Sequence, residues 1–544
     1  MRGRSQALLD INAHSRLDLT PNQPGQAPDR FWEDCSVEEI PARGSAEKIP
    51  NGVQRSSIAV PAKKARQIGS LRDFIQLLTD NQQCIRWTEP VMPEPDIRHI
   101  AVAASNDVRG GPAVLFDNIR GYPGRKLIIG VHATWANIAL LLGYPKTATI
   151  KELFFEMTRR WGAKGAKPEL NWIKPEDAPV NEVRIEKAIN LYDLIPLTRI
   201  NEFDGGFYLG KAAVVSRDPR DPEDFNKQNV GIYRLQIHAP DTFSLMTIPA
   251  HDIGRQILIA EKENRPFRIS VMLGNHPAIA MFAATPLAYD ESEFAYASAM
   301  MGQPITLTQS GNGLDILAGT EIVIEAELMT GERILEGPFG EFPGSYSGVR
   351  RAPVFKVTAV SHRRDPIFES IYIGKGWTEH DTLIGLSTSV PIYSVLKDQF
   401  PEIQAVNALY HHGLTGIISL KNRYGGFAKS VALRALSTPH GMMYLKNLIM
   451  VDDDVDPFDL NQVMWAISVR TRASDIMVMP NMPMVPIDPA AEVPGKGHHL
   501  IIDATSFMAP DPVGPDMKMV NRPTGEHIER LMRQIRKMQE NGAQ

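Results

Sequence analysis

The sequence is poor in cysteine and contains no long apolar run. Its 544 residues include two cysteines, Cys35 and Cys84, both near the start of the chain, which excludes a disulfide framework and a cysteine zinc site. The longest apolar runs are far shorter than a bilayer span. No apolar segment follows the basic first residues, as a signal peptide would require. We therefore expect a cytoplasmic protein without a membrane span.

The chain also lacks an excess of positive charge. Lys and Arg number 58 against 63 Asp and Glu, which gives a formal net charge of −5, so a nucleic-acid partner is not expected. There is no internal repeat, no Walker A loop and no Gly-x-Ser-x-Gly turn. The content of 43% hydrophobic and 22% charged residues is ordinary for a globular chain. The length suggests roughly three or four domains.

The first part of the chain changes character near residue 67. Residues 1–66 are predicted to be a weakly ordered extension, because Pro, Gly and polar residues are frequent and no periodicity persists. Ser70 and Asp73 form a capping pattern ahead of apolar residues at helical spacing. Helix and strand patterns then alternate, which predicts an N-terminal α/β domain over residues 67–182.

Later regions follow from the same signals. Short strand candidates, among them Ala278–Phe282, succeed one another over residues 183–384, which is typical of a mainly β domain such as a barrel. Strands and helices alternate over residues 385–515, which predicts an α/β domain with a mainly parallel sheet. Residues 516–544 are predicted to be a helical tail with one apolar face, docked on this chain or on another subunit.

A segment rich in Gly and Pro carries two carboxylates five residues apart. Glu336 and Glu341 lie within Leu335–Gly344, between strand candidates at residues 322–328 and 354–360. We expect a fixed irregular loop, because Gly and Pro disfavour helix and regular strand. Such a loop suits a general acid and a charge partner aimed at one substrate atom. A surface turn with two solvated glutamates is the alternative.

Further polar residues lie at the ends of predicted elements. Asn229 and Arg234 enter one strand, His251 precedes a helix, and Glu293 follows a turn. An amide oxygen, an imidazole and a carboxylate form an N/O ligand set that Mn²⁺ or Mg²⁺ accepts, with a phosphate completing the shell. Taken singly, His251 also suits a helix start and Glu293 a solvated surface. His132, in the N-terminal domain, is interpreted as structural.

In combination these segments resemble the UbiD family, reversible decarboxylases that use prenylated FMN. The resemblance extends from roughly residue 110 to residue 510. It rests on the Glu-Gly-Pro-Phe-Gly-Glu loop at 336–341, the Asn229/Arg234 segment, the Pro-x-His of 249–251, the spacing from Pro286 to Glu293 and the Thr382–Gly385 run. It implies an α+β or α/β multidomain fold: a split β-barrel cofactor domain flanked by an N-terminal α/β region and a C-terminal α/β oligomerisation domain. Family members are typically dimers or hexamers.

The resemblance also implies a site. Arg234, Glu336 and Glu341 would form a Glu–Arg–Glu catalytic network with Glu341 as proton donor. A Mn²⁺ (or Mg²⁺) ion, bridging to the phosphate of prenylated FMN, would be bound by Asn229, His251 and Glu293, and a K⁺ (or Na⁺) ion would lie beside Glu293. The implied cofactor-binding residues are Asn229, Ile232, Arg234, His251, Ala283, Ala284, Thr285 and Glu293.

The resemblance indicates the class of substrate but not its identity. Ala250 replaces a Gln found in ferulate-type members, and residues 379–382 resemble members that act on hydroxylated benzoates. His380 is therefore a candidate substrate contact, with a polar loop residue as the alternative. We expect decarboxylation of an aromatic, heteroaromatic or α,β-unsaturated acid with release of CO₂, and a flavin prenyltransferase that supplies the cofactor. Other interpretations are an FMN oxidoreductase of split-barrel type, a decarboxylase of an aromatic acyl thioester and a non-catalytic subunit.

Overall fold

The computed structural model describes residues 68–105, 111–161, 168–285, 287–408, 414–511 and 526–542. The predicted extension over residues 1–66 lies outside the described residues, as does the first part of the predicted tail. No described helix combines the length and the apolar character that a bilayer crossing requires.

The N-terminal region alternates helices and strands, as the sequence patterns predicted. The first helix is capped by Ser70, whose hydroxyl accepts the Asp73 N–H, and it buries Leu71, Phe74, Ile75 and Leu78. The elements are α1 (Leu71–Asp80), β1 (Cys84–Trp87), α2 (Asp96–Ser105), β2 (Ala113–Phe116), β3 (Lys126–Ile129), α3 (Trp135–Leu141) and α4 (Ile150–Arg160).

The central region contains a closed six-strand barrel, which confirms the multidomain α/β architecture with a barrel at its centre. Its elements are β4 (Leu170–Trp172), β5 (Val183–Ile185), α5 (Leu191–Leu194), β6 (Phe207–Arg217), β7 (Gln228–Ala239), β8 (Thr242–Leu245), α6 (Asp252–Glu263), β9 (Arg268–Leu273), α7 (Pro277–Ala283), α8 (Glu293–Met301), β10 (Ile305–Gln309), β11 (Asp315–Leu317), β12 (Ile322–Glu336), β13 (Arg350–His362) and β14 (Ile367–Glu369).

Strand pairing closes the barrel and joins it to the N-terminal region. The strands run β12-β9-β6-β7-β8-β13, and β12 pairs with β13 to complete the ring. Alternate residues of β6 enter two different cores, Ala212 and Val214 on one face and Ala213 and Val215 on the other. The short strand β14 pairs with β3, so the sheet β1-β2-β3-β14 ends on a strand from the end of the barrel region.

The C-terminal region begins with a long helix and continues as a sheet with helices. Its elements are α9 (Glu379–Gln399), β15 (Ile403–Ala408), β16 (Thr415–Leu420), α10 (Phe427–Leu436), α11 (Pro439–Tyr444), β17 (Asn447–Asp452), α12 (Leu460–Arg470), β18 (Ile476–Pro483), β19 (Lys496–Ala504) and α13 (Glu526–Gly542). The sheet order is β15-β16-β17-β19-β18. Only β16–β17 and β17–β19 are parallel among these described pairs, so the sheet is mixed rather than mainly parallel.

Two local expectations were wrong. Residues 278–282, predicted as a strand, belong to helix α7, which starts with Pro277 and is capped by the His276 imidazole accepting the Ala278 N–H. A short buried apolar run does not distinguish strand from helix by periodicity. Leu335 and Glu336 end strand β12 instead of lying in an irregular loop, because β12 continues to pair with β13 as far as Glu336 and Arg350.

Candidate active site

A cavity of about 500 Å³ lies where one face of the barrel meets the C-terminal region. Strand β7, the start of α6 and the loop after β12 line it from the barrel. The start of α9, helix α11 and residues 485–487 line it from the C-terminal side. The cavity walls include ten of the residues singled out from the sequence: Asn229, Ile232, Arg234, His251, Ala283, Ala284, Thr285, Glu293, Glu341 and His380.

Arg234 joins the two glutamates of the loop motif. Its Nε and Nη2 atoms each lie 2.9 Å from an oxygen of Glu336, which makes a bidentate pair, and its Nη1 donates to Glu341. Glu336 is fully buried behind Arg234, whereas Glu341 reaches the cavity wall. The arrangement holds one arginine between two carboxylates at a border of the cavity.

The loop that carries Glu341 is held by hydrogen bonds to three side chains. The Gly340 N–H donates to Asp204 Oδ1 (2.8 Å), the Gly337 N–H to Gln236 Oε1 (2.9 Å) and the Phe339 N–H to Ser347 Oγ (3.2 Å). Gly337 has a φ of +99°, and a Cβ there would lie 2.8 Å from a backbone oxygen. A side chain at Gly337 is therefore excluded, and the position of Glu341 is fixed by its surroundings.

Burial controls the acidity of the groups around Glu341. Loss of hydration raises the pKa of Glu341 above its ordinary value, although Arg234 and Arg350 oppose the shift. Burial, together with the charge of Glu341, raises the pKa of Tyr444 to about 12. Arg350 also donates to the carbonyl of Pro486 (3.0 Å), which lies on the C-terminal side of the cavity.

At another part of the cavity wall lie Asn229, His251 and Glu293. All three are at least partly buried, and Glu293 accepts the Val230 N–H at 3.0 Å. Burial raises the pKa of Glu293 to about 8 and lowers the pKa of His251 to about 4. His251 precedes α6, Glu293 begins α8 and Asn229 lies on β7, so three separate elements supply the set.

This set fits a divalent cation. The Nδ1 atom of His251 is buried and has no hydrogen-bond partner among the described residues. A neutral imidazole, an amide oxygen and a carboxylate are donors that Mn²⁺ and Mg²⁺ accept. A cation would also favour the charged form of Glu293, which burial alone disfavours.

Two backbone segments line the cavity beside this set. Gly231 and Ile232 of β7 form one wall, and Ala283, Ala284 and Thr285 at the end of α7 form another. A Cβ at Gly231 would lie 2.4 Å from the ring of Tyr233. Gly231, Ala283 and Ala284 are small, which suits a cofactor placed against the backbone.

The part of the cavity wall around Phe342 includes one imidazole, that of His380. His380, the second residue of α9, stacks on Phe342 with ring centroids 4.7 Å apart and planes 9° apart. Phe342 packs in a cluster with Ile371 and Ile373, and Met443 lines the same cavity. His380 therefore belongs to a helix start rather than to a polar loop, and it lines the cavity.

The sequence analysis missed part of this wall. Phe342, Met443, Tyr444 and Ile487 line the cavity, but none belongs to a motif that identifies a function. Phe342 directly follows Glu341, so the loop motif was the available signal for it. Tyr444 and Ile487 come from the C-terminal region, and only the tertiary fold brings them to the cavity.

A second polar cluster lies outside the cavity. His132, Glu369 and Glu379 are buried, and one ligand atom from each lies within 4.8 Å of the others. The Lys211 ammonium fills the space between them, 2.6 Å from each carboxylate. The cluster is an internal ion pair, and its His132 has the structural role that the sequence predicted.

Three sequence models of one family match consecutive parts of the chain. Residues 75–157 match its N-terminal domain, residues 172–376 its Rift-related domain and residues 381–504 its C-terminal domain. The family is described as UbiD, 3-octaprenyl-4-hydroxybenzoate carboxy-lyase. Together the matches cover more than half of the chain.

Individual relatives agree with the family match. The chain is 44% identical over 480 residues to a phenolic acid decarboxylase of Sedimentibacter hydroxybenzoicus, covering 87% of this chain and 99% of the relative. It resembles the closed form of vanillic acid decarboxylase from the same organism, with a TM-score of 0.82, 44% identity and coverage of 87% and 99%. It also resembles an evolved dimeric form of the UbiD-class enzyme HmfF of Pelotomaculum thermopropionicum in complex with prFMN, with a TM-score of 0.69, 25% identity and coverage of 84% and 97%.

Proposed function

The chain belongs to the UbiD family of carboxy-lyases, and on that premise we propose that it decarboxylates a phenolic acid, reversibly, with prenylated FMN. The observation that carries the proposal is the Arg234 pair with Glu336 and Glu341 at the wall of a cavity that also holds a metal-binding donor set. Two of the relatives are named as decarboxylases of phenolic and vanillic acid, which supports an aromatic substrate over other unsaturated acids.

The cofactor would lie along β7 and the end of α7. Asn229, His251 and Glu293 would hold Mn²⁺ or Mg²⁺ against its phosphate, and K⁺ or Na⁺ beside Glu293 stays a prediction. Loss of CO₂ from an aromatic acid leaves an electron pair that no side chain stabilises. When bound, prenylated FMN would supply the electron sink for that pair.

Residues of the chain itself bind the substrate and transfer the proton. Arg234 holds Glu336 through two parallel hydrogen bonds and places a positive charge where the substrate carboxylate enters. Burial raises the pKa of Glu341, which favours its protonated form, and Glu341 would donate that proton to the ring carbon that CO₂ has left. In the carboxylation direction Glu341 would receive the same proton.

The part of the cavity wall around Phe342 and His380 suits the ring substituents of the substrate. Phe342 and its apolar neighbours would contact the ring, and an imidazole nitrogen of His380 would bind a phenolic hydroxyl. A small-molecule acid fits about 500 Å³. An aromatic acyl thioester remains the alternative, and a thioester-linked acid that reacts faster than the free acid would favour it.

The proposal has three further parts. A flavin prenyltransferase would supply the cofactor, and the protein would act in the cytoplasm. We also propose a homo-oligomer, a dimer or hexamer. The exposed Leu531, Met532, Ile535 and Met538 of α13 support this, because a helix face of this kind usually packs on another surface.

The pH dependence of decarboxylation tests the proton donor. Because Glu341 must be protonated to act, kcat/KM should fall as pH rises through its raised pKa. Arg350 lowers that pKa, so Arg350→Met should move the alkaline limb upward by about half a pH unit or more. Arg351→Met, an exposed neighbour, is the control. If the alkaline limb does not move in Arg350→Met, the group that titrates there is not Glu341.

His380→Phe tests the proposed contact with the phenol. Phenylalanine preserves the stack on Phe342 but removes the ring nitrogens. A lost hydrogen bond costs about 0.5–1.5 kcal/mol, so KM for 4-hydroxybenzoate should rise up to about tenfold. Benzoate, which has no hydroxyl, serves as the internal control and its kcat/KM should change little. Equal changes for 4-hydroxybenzoate and benzoate would show that His380 does not bind the phenolic hydroxyl.

The oxidoreductase alternative makes a different prediction. An FMN oxidoreductase has no need of an arginine placed between two carboxylates. Steady-state assays should therefore detect CO₂ from a hydroxylated benzoate and no flavin-dependent oxidation of NADH or NADPH. Nicotinamide oxidation without CO₂ release would favour the oxidoreductase.

A further inference from the structure

Lys211 is a fully buried lysine that contacts three polar side chains. Its Nζ atom lies 2.6 Å from Glu369 Oε1, 2.6 Å from Glu379 Oε1 and 2.9 Å from His132 Nδ1. The other ring nitrogen of His132 lies 2.9 Å from the carbonyl of Pro277, which can only accept, so Nε2 carries the hydrogen and Nδ1 accepts from Lys211. The imidazole is therefore neutral.

The charges of this cluster are nearly balanced by its surroundings. One ammonium faces two carboxylates, which leaves an excess of one negative charge beside a neutral imidazole. Glu379 is the first residue of α9, and it also accepts the N–H groups of His132 (2.8 Å) and Gly130 (3.1 Å). The helix N-terminus and these two donors compensate the remaining carboxylate.

Three of the four segments that carry the cluster continue into the cavity wall. His380 follows Glu379 directly, and Leu383 and Ile384 of the same helix line the cavity. Gly210 precedes Lys211 in β6, and Ile371 lies two residues after Glu369. A Cβ at Gly210 would lie 2.9 Å from the Ile371 side chain, so β6 and the segment after β14 approach closely here. A shift of the Lys211 ammonium would therefore move the part of the cavity wall formed by His380 and Phe342, where the phenolic hydroxyl is proposed to bind.

The metal-binding donor set lies on other elements. Asn229, His251 and Glu293 belong to β7, the turn before α6 and the start of α8, and none of them contacts Lys211 in a described hydrogen bond or ion pair. Loss of Lys211 should therefore change substrate binding near His380 more than it changes binding of the metal ion and the cofactor.

We infer that Lys211 is a positioning residue for the substrate: by tying the first residue of α9 to β6 and β14, it sets His380 against Phe342. The inference rests on the proposed function, because it assigns His380 to the phenolic hydroxyl. The cluster holds an ammonium at a place where its His and two Glu side chains would otherwise suit a metal ion.

Lys211→Met is the main test. It removes the ammonium but keeps an unbranched apolar chain. We expect KM for 4-hydroxybenzoate to rise at least tenfold and the preference over benzoate to fall, while manganese and flavin content stay within twofold of the wild type. The control is Lys397→Met, since Lys397 is a part-buried lysine near the other end of α9 that donates to the carbonyls of Pro401 and Ile403. It should leave KM and the preference unchanged.

Hydrogen–deuterium exchange of the metal-free proteins provides a second measurement that needs no activity. Amides of residues 378–386 should exchange at least tenfold faster in Lys211→Met and at the wild-type rate in Lys397→Met. If Lys211→Met does not fold, Glu379→Gln replaces it, because the amide keeps the shape and loses the charge that faces Lys211. The same direction of change in KM and exchange is expected.

The outcomes separate this inference from the proposed function. An unchanged KM and unchanged exchange in a folded Lys211→Met, or in Glu379→Gln, would overturn the inference. A parallel loss of manganese, flavin and substrate binding would do the same, because the effect would then be general. If the wild type releases no CO₂ but exchange responds as expected, the tie to α9 holds and the proposed function fails.

Discussion

Glu341→Gln is expected to lower decarboxylation by about 10²–10⁴-fold, the usual contribution of a positioned general acid. Glutamine keeps the size of the side chain and can still accept from Arg234, but it carries no exchangeable acid proton. The same variant should lose exchange of ring hydrogen for deuterium in the phenolic product. Both rates are measured on protein loaded with cofactor, by CO₂ release and by mass spectrometry of the product.

The control for this variant is Glu332→Gln. Glu332 lies on the same strand as Glu336 but is exposed, so its replacement should leave both rates unchanged. Flavin and metal content should be the same in all three proteins, because neither Glu341 nor Glu332 belongs to the proposed donor set. Undiminished hydrogen exchange in Glu341→Gln would show that the proton comes from another group, and Tyr444, whose high pKa keeps it protonated, would be the next residue to replace.

His251→Ala is expected to remove the divalent cation and most of the flavin. Loss of an outer partner of a metal ligand costs about 10–100-fold in metal affinity, so loss of a ligand should cost at least about 100-fold. The phosphate of the cofactor would then lose its cationic partner. Elemental analysis and the flavin absorbance of the purified variant measure the two losses.

His362→Ala is the matched control. His362 is a buried histidine at the end of β13 that bonds to a neighbouring carbonyl and does not line the cavity. Its replacement should leave manganese and flavin unchanged. Chelation of the wild type should reproduce the defect of His251→Ala, and added Mn²⁺ should reverse it only in the wild type. Full metal content in His251→Ala would contradict the proposed donor set.

Local signals in the sequence predicted much of the secondary structure. The capping pattern of Ser70 and Asp73 predicted a helix start, and helix α1 begins at Leu71 with its regularly spaced apolar residues buried. This segment combines a clear helical periodicity with a capping residue at its start. Helix α7 was missed because its apolar run is short and buried on all sides, so no periodicity separates it from a strand.

Sequence motifs predicted individual residues of the candidate site but not that these residues meet in space. The loop with Glu336 and Glu341 and the segments with Asn229, Arg234, His251 and Glu293 resemble family signatures, but nothing local shows that they converge. Their meeting depends on closure of the barrel, which pairs strands distant in the chain. The domain bounds inferred from composition remain a prediction.

The Lys211 cluster left no trace in the sequence. Its partners His132 and Glu379 lie 79 and 168 positions away, and the residues around Lys211 form an ordinary buried strand. A lysine in such a strand would by itself be read as an edge or surface residue. Only the tertiary structure shows that two buried carboxylates compensate it.

The most direct test of the account is native mass spectrometry of the protein co-produced with a flavin prenyltransferase, together with CO₂ release from 4-hydroxybenzoate by the same sample. The account predicts a mass increment of prenylated FMN plus one divalent cation, and CO₂ release that is absent from protein made without the prenyltransferase. Plain FMN in both samples, or a loaded protein that releases no CO₂ from any hydroxylated benzoate, would contradict it.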